Sequence, residues 1–217
     1  MIKGRVGIAV ATAALLPLTV ASASGGWWVH TVENLPEYFV AGEPVEMSIS
    51  LRQHGMTVVP NLSMVEVQLT GPNSAAQPMN VTPSAQPGYY IANLLAPEPG
   101  EWSIAVQTGH MRLELLPLRA VAAGSAPPAR LTAVERGRQL YVAKGCITCH
   151  GGSAAPAGAP GAGSTRANIA PELIGRPFPT REYVAQVLAN PGQRAMPNLN
   201  LSRDEIGAIA AFLHPES

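Results

Sequence analysis

Cys146-Ile147-Thr148-Cys149-His150 is the stretch of sequence around which the rest of the chain is interpreted. Two cysteines separated by two residues and followed at once by a histidine have the spacing of a covalent c-type haem attachment site. Each thiol would add across one haem vinyl group to give a thioether, and the adjacent imidazole would be presented to one axial face of the iron. The motif therefore predicts one haem c, attached through Cys146 and Cys149, with His150 as a metal ligand.

Two other kinds of site use the same cysteine spacing. A thioredoxin-like dithiol normally lies at a strand-to-helix junction, whereas a helical segment precedes Cys146 and a Gly/Ala/Pro-rich loop follows His150. A zinc site needs further Cys or His ligands at tight spacing, but the chain has no other cysteine and the next histidine is His214. Haem attachment, which uses both thiols and the adjacent histidine, is therefore favoured over both.

Composition and charge describe an exported, loop-rich protein. The chain has 217 residues, of which 13% are charged, with 21 glycines, 21 prolines and a formal net charge of zero. A nucleic-acid partner would require a basic field, so none is expected. The length accommodates one large or two small domains.

Residues 1–23 are predicted to be a signal peptide. Two basic residues precede an apolar run at 6–20, and Ala21-Ser22-Ala23 is a small-x-small cleavage site. The run is interrupted by Pro17 and is shorter than the ~20 residues that span a bilayer, which favours cleavage over an uncleaved anchor. We expect a periplasmic or otherwise extracytoplasmic protein, membrane-associated if the signal is retained.

Residues 24–120 are predicted to form an all-β immunoglobulin-like sandwich. Apolar and polar residues alternate with a period of two at 45–52, 65–69, 102–107 and 111–115, and turn clusters rich in Gly and Pro separate these segments. This pattern predicts roughly seven short antiparallel strands without an inter-sheet disulfide. Residues 121–130, which are small and proline-punctuated, are predicted to be a linker.

Three signatures stand out within the β region. They are Gly42-Glu43-Pro44 before an alternating strand, Pro87-Gly88-Tyr89-Tyr90, and Pro99-Gly100-Glu101-Trp102-Ser103-Ile104. With them the region resembles the YtkA-like and FixH-like group of exported immunoglobulin-like domains. The resemblance implies a fold and a link to membrane redox or metal-handling systems, but no mechanism.

The β region also carries soft nitrogen and sulfur donors that suit copper(I). The candidates are His30, His54, Met56, His110, Met111, Met47, Met64 and Met79. Met47 and Met64 would serve equally well as core fillers, and the histidines as residues at loop ends. A blue-copper centre is disfavoured because the region has no cysteine. Copper in the β-domain is thus an alternative.

Residues 131–217 are predicted to be helical around the cysteine motif. A capping box of Thr132 and Glu135 opens a helix that runs to about Lys144. The loop at 151–168 has no periodicity, and the proline-punctuated segment 169–179 is expected to pack over a haem edge. Thr180 caps the next helix, and a second capping box, Ser202 with Glu205, opens the last one.

The order helix, CxxCH, loop, helix, Met-Pro, helix resembles a class I cytochrome c over residues 131–215. The resemblance implies that Met196, the only methionine after His150, is the sixth iron ligand. It also implies that the Pro171 carbonyl accepts the Nδ1 proton of the axial imidazole. Gly137, Tyr141 and Phe212 match the small and aromatic residues that meet where the first and last helices cross near the haem. His214 is the rival axial ligand.

His/Met ligation saturates the iron and favours Fe(II) relative to bis-imidazole ligation, so the implied activity is one-electron transfer. We expect an electron carrier rather than an enzyme, with no small-molecule substrate. Its partner would be a redox protein or membrane-bound complex, with the sandwich as docking module. Residues 131–217 carry eight bases and six acids, which suits an acidic patch on that partner. Copper handling and redox sensing through the β-domain are the alternatives.

Overall fold

A computed structural model of the chain describes residues 28–53, 55–60, 65–109, 111–151, 170–192 and 196–215. The predicted signal peptide and nearly all of the predicted 151–168 loop lie outside these residues. Among the helices of the described ranges, none has the length and apolar character needed to cross a membrane.

The described part of the N-terminal region is all β. Its strands are β1 (Trp28–Val32), β2 (Phe39–Val40), β3 (Pro44–Gln53), β4 (Thr57–Val58), β5 (Val65–Thr70), β6 (Gln77–Pro78), β7 (Asn80–Pro83), β8 (Tyr89–Leu95), β9 (Gly100–Thr108), β10 (Met111–Glu114) and β11 (Leu118–Val121). One sheet has the order β1-β3-β8-β7, with β4 also paired to β3. The other has the order β2-β11-β9-β5-β6, with β10 also paired to β9.

The alternation seen in the sequence builds the core between the two sheets. Met47, Ile49 and Leu51 of β3 are buried, as are alternate residues of β5 and β9, so the apolar face of each strand points inward. The all-β prediction is confirmed. The expected strand number of about seven was too low, because three pairings involve strands of only two residues, too short to leave a periodic pattern.

The predicted linker begins inside a strand. Val121 belongs to β11 and pairs with Val40 of β2 in a parallel register, so the boundary lies one residue later than expected. The described residues that follow form four helices: α1 (Ala133–Ala143), α2 (Cys146–His150), α3 (Arg181–Ala189) and α4 (Arg203–Leu213). The helical prediction is confirmed, including both capping boxes and the cap of α3 by Thr180.

Helices α1 and α4 cross in close contact. A Cβ at Gly137 would collide with the Ala208 carbonyl group and with Cβ of Phe212, so only glycine allows this approach. One turn further along α1, the Tyr141 and Phe212 rings pack with their centroids 5.5 Å apart and tilted by 57°. The crossing fixes α1 and α4 relative to each other.

The helical region packs directly against β1 and the turn that follows it. Arg136 of α1 donates to the carbonyl oxygens of Leu35 (2.6 Å) and Pro36 (3.3 Å), and Lys144 donates to that of Glu33 (2.7 Å). Buried residues of both regions belong to one continuous apolar cluster. The two regions are therefore joined by packing as well as by residues 122–132.

Candidate haem site

A cavity of about 890 Å³ lies among α1, α2, α3, α4 and the segment before α3. Its lining contains every predicted cofactor residue: Tyr141, Cys146, Cys149, His150, Pro171 and Met196. Most of the remaining wall is apolar. Residues separated by more than fifty positions in the chain thus converge on one space.

The short helix α2 aims the cysteine motif into this cavity. Gly145, which precedes it, has φ +76°, a left-handed conformation that lets the chain leave α1 and start a new turn immediately. Cys146 and Cys149 are three residues apart and share one face of α2. Gly151, with φ +58°, ends the helix. Its carbonyl oxygen accepts a hydrogen bond from the Tyr141 hydroxyl at 3.4 Å.

His150 is oriented by the described segment that begins at residue 170. Its Nδ1 lies 2.8 Å from the carbonyl oxygen of Pro171, and the amide of Ala170 donates to the carbonyl oxygen of Cys149 at 3.3 Å. A carbonyl can only accept, so Nδ1 carries the proton and Nε2 is the nitrogen left with a lone pair. That tautomer suits a metal ligand. Residues 170–180 contain neither helix nor strand, as predicted.

The raised pKa values of the two thiols disfavour thioredoxin-like dithiol chemistry. Burial, together with the neighbouring Cys149, raises the pKa of Cys146 to about 12, and burial raises the pKa of Cys149 to about 11. A thioredoxin-like pair needs a lowered pKa, because the thiolate is the attacking species. A zinc site is not supported either, since the described residues contain no group of three or more His, Cys, Asp or Glu side chains placed to hold a metal.

Tyr141 closes the inner end of the cavity. Its side chain is fully buried. Burial first, and then the neighbouring Cys146, raise the pKa of its hydroxyl above the ordinary value. The hydroxyl therefore stays protonated and donates to Gly151 at the end of α2.

Met196 reaches the cavity from the segment that leads into α4. Asn200 in this segment has φ +51°, and its amide donates to Oδ1 of Asn198 at 2.9 Å, a turn that sets the path from Met196 to Ser202. Met196 and His150 line the same space. His214 caps the C-terminus of α4 and is absent from the cavity lining, so the structure does not bring the rival axial ligand to the site.

The residues present fit a covalently attached haem. Two thiols at the attachment spacing, an imidazole with Nδ1 already engaged and a thioether surround a largely apolar cavity large enough for a cofactor. Imidazole and thioether are the donor pair of electron-transfer cytochromes.

The copper candidates are not gathered into one site by the described residues. Met47 is buried in the core of the two sheets, and Met79 packs against that core. Met111 lies on β10. His54, Met64 and His110 fall outside the described residues. His30 corrects an expectation, since it lies inside β1 rather than at a loop end. Its Nε2 is 3.2 Å from Thr108 Oγ1, and burial lowers its pKa to about 4.

Two residues of the cavity wall were missed by sequence reasoning. Val29 of β1 and Met56, in the turn between β3 and β4, line the cavity although they lie about ninety residues or more before the cysteine motif. Met56 was considered only as a copper donor. A contact made by packing between two regions leaves no local sequence pattern, so no signal could have identified it.

Comparison with known proteins relates the helical region to subunits of an oxidase and a reductase. Residues 132–213 match the family described as cytochrome c oxidase, cbb3-type, subunit III, a range that includes all four described helices. A curated relative, a nitric oxide reductase subunit from Stutzerimonas stutzeri, is 37% identical over 83 residues. That alignment covers 37% of this chain and 56% of the relative, so the chain spans about half the length of the curated relative it matches.

Solved structures similar to the chain are much more distant. The Lin-41 filamin domain has a TM-score of 0.37 and 11% identity, covering 44% of this chain and 93% of that one. Domains 4 and 5 of the S-layer protein SbsC have a TM-score of 0.31 and 16% identity, covering 43% and 51%. Both TM-scores are below 0.5, so these likenesses do not assign the fold.

Proposed function

We propose that this chain, whose C-terminal segment is a c-type cytochrome, carries one covalently attached haem and transfers single electrons as a carrier subunit rather than as an enzyme. The observation that carries the proposal is the one cavity in which Cys146, Cys149, His150 and Met196 meet. The chain contains a single CxxCH motif and no further cysteine, which supports one haem. A bound haem would supply a ferrous/ferric couple there.

Each residue has a separate task. Cys146 and Cys149 would hold the haem through thioether bonds, and His150 and Met196 would ligate its iron. The Pro171 carbonyl accepts the proton of Nδ1, which fixes the tautomer of His150 and strengthens Nε2 as a donor. Tyr141 packs beneath the site, and the apolar wall excludes water. With His150 and Met196 both bound, the iron would have no position open for a substrate.

The setting we propose is an extracytoplasmic redox complex. The curated relative is a subunit of nitric oxide reductase, which supports a role as an electron-carrying subunit that docks on a larger oxidoreductase. The excess of bases over acids in residues 131–217 favours an acidic patch on that partner. Export through the N-terminal signal is part of this proposal, because haem c is attached outside the cytoplasm.

We assign the β region to an immunoglobulin-like sandwich that serves as docking module. The strand order supports the immunoglobulin-like fold. If strands A to G are β1, β3, β5, β7, β8, β9 and β11, the sheets have the orders A-B-E-D and G-F-C. The packing of this region against α1 supports the role as docking module, because it holds the β region beside the cavity. Copper handling and redox sensing are not proposed, since no observation on the described residues favours either.

The test is to produce the protein in a host that installs haem c and to record spectra of the wild type and two methionine variants. The wild type should carry one covalent haem and be six-coordinate in both oxidation states. Reduced Met196→Ala should bind carbon monoxide, because the variant opens an axial position. Met79→Ala, changed in the β region, should not. A colourless protein with both thiols titratable would contradict the proposal, and so would a Met196→Ala variant that binds carbon monoxide no better than the wild type.

A further inference from the structure

One wall of the cavity comes from the β region. Val29 and Met56 line it together with Lys144, Gly145 and Cys146. Met56 is 51% exposed, which places its thioether side chain at the mouth of the cavity, in contact with both the lining and solvent. The N-terminal region is therefore part of the site and not only attached to it.

Lys144 holds this wall in place. The residue is only 2% exposed, and its Nζ donates to the Glu33 carbonyl oxygen at 2.7 Å and pairs with Glu205 Oε1 at 2.8 Å. A buried ammonium group requires partners because leaving it unpaired is strongly destabilising. Here it takes one partner from the turn after β1 and another from α4, so a single side chain joins the β region to the last helix.

The backbone at the end of α1 also approaches β1 closely. A Cβ at Gly145 would collide with Cγ1 of Val29 and with the His30 carbonyl oxygen, so the residue before Cys146 lies directly on β1. Arg136 adds two hydrogen bonds to the Leu35 and Pro36 carbonyl oxygens, one turn from the other end of α1. The interface is thus fixed along the length of α1.

We propose that the β region forms the outer wall of the haem pocket and sets the reduction potential through Met56, with Lys144 as the positioning residue that locks the wall in place. The inference rests on the proposed function. An apolar wall disfavours the more highly charged ferric state, so it raises the potential. A carboxylate at the same place favours ferric iron and lowers it.

The main test compares two charge insertions in the complete, haem-loaded chain. Met56→Glu places a carboxylate on the cavity wall. Leu95→Glu places one at a similarly exposed apolar position, 44% exposed, that is absent from the cavity lining. Leu95 pairs with Pro44 at the far end of β3, about 30 Å from Gln53 at the end that leads to Met56. The measurement is a spectroelectrochemical titration of each variant.

We expect Met56→Glu to lower the ferrous-to-ferric ratio at a fixed applied potential about threefold, equivalent to about 28 mV at 59 mV per tenfold for one electron. The shift should shrink at high salt, because Met56 is exposed. Leu95→Glu should leave the ratio unchanged. A normal six-coordinate spectrum with an unchanged ratio in Met56→Glu would overturn the inference and leave the proposed function standing. A wild type without haem would overturn both.

The positioning role is tested by a double-variant cycle. Lys144→Met keeps a side chain of similar length but removes both polar contacts. The wall should then loosen, and the threefold effect of Met56→Glu should fall in the double variant. An undiminished effect would remove Lys144 from the proposal. If Lys144→Met does not accumulate as folded protein, Arg136→Met, which loosens the other end of the same interface, is used in the same cycle with the same two outcomes.

Discussion

Nδ1 of His150 lies 2.8 Å from the carbonyl oxygen of Pro171, a residue twenty-one positions further along the chain. The contact joins the end of α2 to the segment before α3 at the wall of the same cavity. It also decides the imidazole tautomer, because a proline carbonyl has no proton to give. The acceptor is a backbone carbonyl, a group that every residue type carries. A backbone group therefore controls how strongly the His150 imidazole can bind a metal.

The Pro171 contact predicts a local effect of a backbone change. Pro171→Gly keeps the carbonyl but frees φ, so the hydrogen bond to Nδ1 should weaken and the free energy of unfolding should fall by about 1 kcal/mol. The Nδ1 proton should exchange with solvent faster, as measured by NMR on the reduced protein. Pro177→Gly is the control within the same segment. Equal exchange rates in both variants would contradict the assignment.

The α1–α4 crossing predicts opposite results for two glycines. Gly137→Ala inserts a Cβ into the Ala208 carbonyl group and should lower the free energy of unfolding by at least about 2 kcal/mol. Gly207→Ala meets nothing within 4 Å and should raise it by about 0.5–1 kcal/mol, because alanine favours helix. Urea unfolding of both variants measures the contrast. Equal effects would mean that the helices do not approach so closely.

Glu205 should contribute stability that depends on pH. Burial is the largest single effect and opposes its ionisation, but the hydrogen bonds from Lys144 and from Ser202, together with the charge of Lys144, outweigh it and hold the pKa of Glu205 below the ordinary value. The folded protein thus releases this proton more readily than the unfolded chain. The stabilisation is present above the unfolded pKa near 4.5 and is lost as pH falls through the lower folded pKa.

The measurement compares Glu205→Gln with wild type in urea at pH 7 and at pH 3. We expect a loss of about 1–3 kcal/mol at pH 7 that becomes smaller at pH 3. Glu135→Gln changes the equivalent residue of the other capping box, where no buried lysine is paired, and should cost less. A loss that is the same at both pH values would show that the charge of Glu205 is irrelevant.

His30 should make the protein less stable in mild acid. Burial lowers its pKa from 6.5 to about 4, so between these values the unfolded chain binds a proton that the folded protein does not. Stability therefore falls as pH drops from about 6.5 to about 4, by up to about 3 kcal/mol. His30→Gln should remove this slope from urea midpoints measured across the window. A His214→Gln variant with the same flattened slope would contradict the assignment to His30.

Local patterns predicted much of this molecule. The cysteine motif, the capping boxes at Thr132 and Ser202 and the alternation in β3 each depend on residues within a few positions, and the structure has them where they were expected. The two-residue strands depend on the partner strand, so alternation could not reveal them. The role of Lys144 was missed because its partners, Glu33 and Glu205, lie 111 and 61 residues away, where spacing carries no information.

Lys144 also has a practical consequence for anyone who wants to capture this protein with a binding partner. It is the only lysine beyond position 3, and its amine is enclosed and engaged on two sides. In the part of the chain that the structure describes, succinimidyl esters and aldehydes will find no exposed lysine to react with. Carbodiimide coupling through exposed carboxylates is the chemistry that would report its neighbours.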